Sequence, residues 1–294
     1  MRLPGARRFV PQVNQLSEIA RALQSAQWGW LLAAVLASAF TYPMAAVQFI
    51  GAAAVALPLG RTTVAQVASA VGNLMAPGGL GGAGVNVRYL DRCGMASAES
   101  VAVVTLANGA GFITHVLLLI VVGAAVASAG ISAGQFPARW VVLALVIGVA
   151  LIARAAFWSE SGRGRLTAAV SQVARRLLGA VQRPRQAVLL MAGSLGITAG
   201  YVLAPWFSLR AFGAQPSFAN VTVAFLVCAA VGATSPTPGR LGADEAVLTG
   251  AMIRSGVAGG TAVVGVAAFR LVTFWLPCLP GAVAFRMLRR QGSL

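Results

Sequence analysis

The residues able to do chemistry in this chain are few, and they gather around two places that read almost alike. Pro77-Gly78-Gly79-Leu80-Gly81 is followed by Asn86, Arg88, Asp91 and Arg92, then by Cys93-Gly94-Met95-Ala96. Pro238-Gly239-Arg240-Leu241-Gly242, with Pro236 just before it, is followed by Asp244 and Glu245, then by Ser255-Gly256-Val257-Ala258. The distance from proline to later glycine differs by one residue between the two copies. Arg88 and Arg92 stand four apart and share a face of any helix they occupy. Arginine suits bidentate phosphate contacts, so Arg88, Arg92 and Arg240 fit a phosphate-bearing headgroup; an interfacial salt-bridge cluster fits equally. Arg270 lies deep in the last apolar run, where a charge is expensive and usually functional, and Asp244 and Glu245 are its expected partners.

Other polar residues stand inside apolar runs. His115 is the single histidine, and Asn108, seven residues earlier, lies on roughly the same helical face. Asn73 stands just before the first break. These are candidate cavity lining or hydrogen-bonded helix contacts. No catalytic set assembles: one histidine allows no second triad, no GxSxG surrounds a serine, and the side chains of adjacent Asp244 and Glu245 diverge by about 100° on a helix. Three separated cysteines without CxxC spacing indicate neither a metal site nor a disulfide framework. Gly79-Leu80-Gly81-Gly82-Ala83-Gly84 matches GxGxxG but lacks the strand–helix context of a nucleotide site. In a helix break, its N–H groups suit an anion instead, or simply make a kink. No cofactor is expected.

The elements carrying these residues are membrane helices. The chain has 294 residues, 58% hydrophobic and 10% charged, and a soluble domain would carry about a quarter charged residues. All 22 basic residues are arginine, which points to a codon-biased genome. A net charge of +16 would suit nucleic acid, but the arginines cluster between apolar runs, as topology determinants and lipid-headgroup contacts do. Residues 1–27 form a basic stretch with an interfacial helix over 12–24, and Trp28 and Trp30 are placed at headgroup level. Apolar segments follow at 28–57, 62–76, 98–129, 138–158, 187–212, 218–235, 242–254 and 258–286. Five or six reach the roughly 20 residues needed to span a bilayer. The short segments 62–76 and 242–254 abut the breaks and read as half-helices or re-entrant elements. The domains are a first membrane half (28–158), a basic amphipathic linker (159–186), a second half (187–288) and a tail (289–294).

The expected fold is all-α and polytopic, with six to eight membrane helices in two related halves. If all eight segments cross, both termini, the linker, Arg88, Arg92 and Arg240 share one side, cytoplasmic by the positive-inside rule, with Arg61, Arg139, Arg210 and Arg254 opposite. That count conflicts with the repeat, which matches 83–93 to 243–255. Gly196 and Gly200, four apart, allow a close helix contact within or between molecules.

The stretches 72–101, 235–257 and 267–288 together resemble the transmembrane region of lysylphosphatidylglycerol synthases and their stand-alone flippase-like relatives. Both proline-glycine motifs, the trailing acidic pair and the arginine of the last span appear in order. The resemblance implies a polytopic helical fold and translocation of an aminoacylated phospholipid, or of a polyprenyl-linked lipid, between leaflets of a bacterial inner membrane. It marks Pro77, Gly78, Gly81, Arg88, Pro236, Pro238, Gly239, Gly242, Glu245 and Arg270. Arg240 and Asp244 stand where relatives more often have a small residue, and no aminoacyl-transfer domain is present, so the expectation is a carrier rather than an enzyme. Its partners would be membrane phospholipids or polyprenyl lipids and no nucleic acid. The alternative is a scaffold or accessory subunit of a lipid or glycolipid synthesis enzyme.

Overall fold

The structure, a computed structural model, describes Gln24 and residues 26–75, 80–128, 183–232 and 239–292. The expected interfacial helix at 12–24, the apolar segment 138–158, most of the linker, and Pro77, Gly78, Pro236 and Pro238 lie outside the described residues. Eight helices and no strand occur among the described residues. They are α1 (Trp28–Ala52), α2 (Leu59–Met75), α3 (Leu80–Arg92), α4 (Ser97–Ser128), α5 (Pro184–Ala211), α6 (Phe218–Gly232), α7 (Ala243–Arg254) and α8 (Gly259–Arg290). A π-helical turn, Leu271–Trp275, interrupts α8 at its middle.

The order long, short, short, long occurs twice. α1, α5 and α8, and α4 through Ala125, are long and apolar enough to cross a membrane. α2, α3, α6 and α7 have 17, 13, 15 and 12 residues. At 1.5 Å per residue these are about 18–26 Å long, short of the roughly 30 Å hydrocarbon core. The repeat also runs beyond the two motifs. The interval from Pro43 in α1 to Gly94 equals that from Pro205 in α5 to Gly256, and Asn108 stands to Gly94 as Arg270 does to Gly256.

Each short pair is a hairpin that turns back at its break. In the first, the Thr62 and Tyr89 hydroxyls lie 3.1 Å apart, the Gln66 amide donates to Asn86 (3.0 Å) and the Gly82 N–H donates to Asn73 Oδ1 (3.0 Å). These pairings step inward along two antiparallel arms, and Gly72 and Gly81 bring the backbones together near the tip. In the second, Cys228 and Gly232 of α6 meet Asp244 of α7. Each hairpin has its own apolar core, Tyr89, Leu90 and Val103 in one case and Phe225, Leu248 and Met252 in the other.

α1 and α5 join the halves and run antiparallel. Gly51 packs on Leu190, Gly193 on Gln48, Gly196 on Met44 and Gly200 on Ala37 and Thr41. At Gly193 and Gly200 an added Cβ would meet α1 backbone, so small residues set the helix separation. Gly196 and Gly200 thus serve a contact within the chain. Gln48 ties a third helix in, donating to Ala107 O of α4 (3.0 Å) and Ser194 Oγ of α5 (2.7 Å).

Antiparallel α1 and α5 give the halves opposite orientations. The α2–α3 hairpin opens at the end of the bundle where α1 finishes, and the α6–α7 hairpin opens at the other end. The first end carries Arg61, Arg88, Arg92, Arg183, Arg185, Arg286, Arg289 and Arg290, and Phe49, Leu57, Leu190 and Leu288 share its core. The second carries Arg254 and an aromatic belt, with Arg210 Cζ 4.2 Å from the Trp206 ring centroid and 5.3 Å from that of Trp30. The count of eight crossings does not hold, because the α2 and α6 arms double back. Arg61 and Arg92 consequently share an end, whereas Trp28 and Arg290 lie at opposite ends. The tension between residues 83–93 and 243–255 disappears: both are second arms of hairpins.

Two outcomes follow. Gly200→Leu lowers the thermal midpoint of the purified protein by several degrees, consistent with overpacking of about 1–3 kcal/mol or more. Gly196→Ala, which meets only the flexible Met44 side chain, costs less. In sealed vesicles, an impermeant thiol reagent reaches a cysteine at Gly60 and the exposed native Cys93 from the same face; labelling from opposite faces would show that α2 crosses.

Candidate functional site

The charged residues of the second half meet at the tip of the α6–α7 hairpin. The tip demands unusual backbone: Gly239, Arg240 and Gly242 have φ of 61°, 56° and 85°, and only Arg240 bears a side chain in that region. Glu245 closes the start of α7, its Oε2 accepting from the Gly242 N–H at 2.7 Å. Its Oε1 accepts from Arg270 Nε at 2.7 Å. Arg270 Nη2 donates to Gly239 O at 2.7 Å, and Nη1 lies 3.4 Å from Asp244 Oδ2. One guanidinium from α8 therefore binds the turn at Gly239 and both acidic residues in the first turn of α7. The Arg270 side chain is 8% exposed and lies 4.7 Å from the Phe274 ring centroid. Phe274 also packs against Gly239, leaving no room for a side chain there.

The π turn presents this surface. Pro277 has no N–H to close a helical bond, and the Leu276 N–H reaches five residues back to Leu271 O. The carbonyl of Val272 accepts instead from Ser38 Oγ of α1 at 3.1 Å. The irregular turn is thereby satisfied across the repeat interface, and Arg270 and Phe274, one turn apart, both face the hairpin.

Asp244 occupies the least satisfied position. Its side chain is 7% exposed, its Oδ2 lies 3.5 Å from Arg240 Nε, and its Oδ1 has no hydrogen-bond partner. Gly232, the last residue of α6, packs directly against Oδ1, and the Arg240 side chain passes over the same glycine. Arg240 is the most accessible of the four charges at 40%.

α4 and α5 supply a polar wall beside the tip. His115 Nδ1 lies 3.1 Å from Gly111 O and 3.3 Å from Thr198 Oγ1. Its ring is 6.2 Å from that of Phe225, which stacks on Tyr201 at 6.1 Å. Tyr201, Thr198, Phe274 and Ser38 were not picked out by sequence. Pro277 was the available signal for an irregular α8, and the serine and aromatic residues resemble ordinary helix filling.

The first break is built differently. Asn73 and Asn86 are taken up by the hairpin's own hydrogen bonds, and Gly81 by backbone contact. Arg88 and Arg92 are exposed near the open end of that hairpin, and Asn108 is exposed on α4. A chamber shared by Arg88, Arg240 and Arg270 is thus not formed. The hairpins enter from opposite ends, so the charges of one are near its mouth and those of the other at its tip. Asp244, Glu245, Arg240 and Arg270 do come together, with Gly239 and Gly242 shaping the turn and His115 alongside. Among the described residues no group of three or more His, Cys, Asp or Glu is placed to hold a metal ion.

The family model for the lysylphosphatidylglycerol synthase TM region matches residues 11–281. No curated protein matches the chain. The matched stretch takes in both hairpins, the antiparallel α1–α5 pair and α8 through its π turn, and the chain belongs to the lysylphosphatidylglycerol synthase TM-region family.

Proposed function

We propose that this multi-pass membrane protein is a lipid carrier that binds a phosphate-bearing headgroup at the α6–α7 tip and moves it between leaflets. The lipid is an anionic or aminoacylated phospholipid or a polyprenyl-linked lipid. The observation supporting this most is Arg270, a buried cation in a membrane-length helix that holds a re-entrant tip by three of its groups. Oppositely oriented halves built on interrupted helices are the general design by which a carrier exposes one site to two sides in turn. Arg240, partly exposed beside Asp244, is the headgroup contact, and Arg270 with Glu245 is the latch. Acyl tails remain in the bilayer, because extracting them costs about 0.8 kcal/mol per CH₂. No chemistry on the lipid is proposed: both Glu245 oxygens are engaged in capping and in the Arg270 pair, which suits a positioning role. The membrane is a bacterial plasma membrane, with the arginine-rich end cytoplasmic by the positive-inside rule.

A second reading has one observation in its favour. Among the described residues, eight arginines lie at one end and two at the other, a basic face that an anionic partner enzyme of lipid or glycolipid synthesis could dock on.

In liposomes carrying labelled phospholipids, the wild type accelerates leaflet exchange, and Arg270→Ala lowers the rate at least tenfold with folding retained in part. Exchange no faster than in empty liposomes for every headgroup, with stoichiometric capture of a synthesis enzyme, favours the scaffold and ends the carrier reading.

A further inference from the structure

The two carboxylates at the tip differ in a way that their shared cation does not explain. Glu245 receives two hydrogen bonds of 2.7 Å, one from Arg270 Nε and one from the Gly242 N–H. Asp244, next to it, has arginine nitrogens only at 3.4 and 3.5 Å, both on Oδ2 and both longer than the roughly 2.7–2.9 Å of a charge-assisted bond. Its Oδ1 is buried with no donor at all. Oδ1 instead abuts Gly232 of α6. An ionised oxygen buried there has no donor, and desolvation adds to the cost. A neutral carboxyl fits: protonation removes the charge from the donorless side, and the other oxygen still faces the two guanidinium groups.

This changes the charge of the site. Arg240 and Arg270 bring +2, and Glu245 brings −1; with Asp244 neutral the cluster is +1, and with Asp244 ionised it is zero. The carboxylate recorded against Arg240 is Asp244, and Arg240 is the accessible cation of the set. We propose that Asp244 is a proton-binding site, and that one proton and one phosphate anion bind the α6–α7 tip together. The proton rests on Asp244 Oδ1, which leaves the Arg240 guanidinium to the phosphate. When the proton leaves to water, Asp244 pairs with Arg240 and the phosphate is released. No covalent bond forms or breaks, and the cargo, H⁺ with a monoanion, is electrically neutral. The phosphate half of the inference rests on the reading of this tip as a headgroup site; the proton half stands on the geometry of Asp244 alone.

The groups facing Asp244 are Arg240 in its own turn, Glu245 beside it on α7, Cys228 from α6 and Arg270 from α8. His115, on α4, is the other group able to impose a pH dependence near neutrality, so it serves as the control.

The test has two readouts on the purified full chain. The first is binding of dihexanoyl phosphatidylglycerol across a pH series. An anion that binds with a proton binds best at low pH, and its affinity falls about tenfold per pH unit as the proton is lost. Wild type follows this slope, Asp244→Asn binds with a flat affinity close to the wild-type low-pH value, and His115→Gln keeps the slope. Arg240→Gln loses binding throughout. The second readout needs no ligand. The chain has two aspartates, Asp91 and Asp244, so ¹³C-aspartate labelling displaces the infrared carbonyl stretch of a protonated Asp244, and Asp91→Asn leaves that displaced band in place. A wild-type slope in Asp244→Asn, or loss of the slope in His115→Gln alone, overturns the coupling. Absence of a label-sensitive protonated carboxyl overturns the proton site. If no variant binds the lipid at any pH, the headgroup reading and the coupling fall together, while the infrared band still decides Asp244. Equal affinity and slope for glycerol phosphate or inorganic phosphate keeps the proton–phosphate linkage and assigns the site to free phosphate rather than lipid.

Discussion

A guanidinium in the middle of a membrane-length helix has to find its partners inside the protein, and in this chain that requirement organises the second half. Arg270, buried at mid-helix, lacks the length to reach headgroups, so partners must come to it. They come from a hairpin too short to cross, whose tip offers a carbonyl, a cap residue and a buried carboxyl group. The turn in turn adopts left-handed backbone at Gly239, Arg240 and Gly242, a conformation that costs energy at Arg240 and persists because Arg270 and Glu245 fix both sides of it. Removing one partner leaves an uncompensated charge, so the set stands or falls together.

The halves share a plan and differ in how they close their hairpins. The first uses neutral pairs, Thr62 with Tyr89 and Gln66 with Asn86, together with direct glycine contact. Such bonds resist rearrangement, since every separated donor or acceptor would be stranded in a dry environment. The second uses ion pairs around a partly exposed arginine, whose partners can be exchanged for a ligand's charges. Where Arg270 holds the second tip, the equivalent position in the first half is Asn108, exposed on α4. One hairpin is thus closed by neutral pairs and the other by ion pairs set against the irregular turn of α8.

Much of this was legible in the residues. Proline-glycine breaks beside short apolar segments announce helices that do not cross, and the acidic pair behind the second break, set against Arg270 in an apolar run, foretells their meeting. The orientation of the halves was not legible, because Gly193, Gly196 and Gly200 announce a close contact without saying with which helix or in which direction. That missing fact separates Arg88 and Arg92 from Arg240 and Arg270. Counting arginines on the assumption that every segment crosses likewise put Arg61 opposite Arg92, when a re-entrant hairpin returns both to one end. For Asn73 the sequence left cavity lining and a hydrogen-bonded helix contact both open; Asn73 makes the contact, with the Gly82 N–H, and Asn86 makes one with Gln66. The unequal satisfaction of Asp244 and Glu245 depends on Gly232 and on distances, which adjacency in sequence does not contain.

The central claim is that Arg270 holds the α6–α7 tip to α8 through Glu245. A double-mutant cycle with Arg270→Gln and Glu245→Gln, read by denaturant unfolding in detergent, measures that link directly. The account predicts that the double variant is more stable than the sum of the single losses implies, with a coupling of about 1–3 kcal/mol. Strictly additive losses would mean that the two side chains stabilise the protein independently, and the latch would not exist.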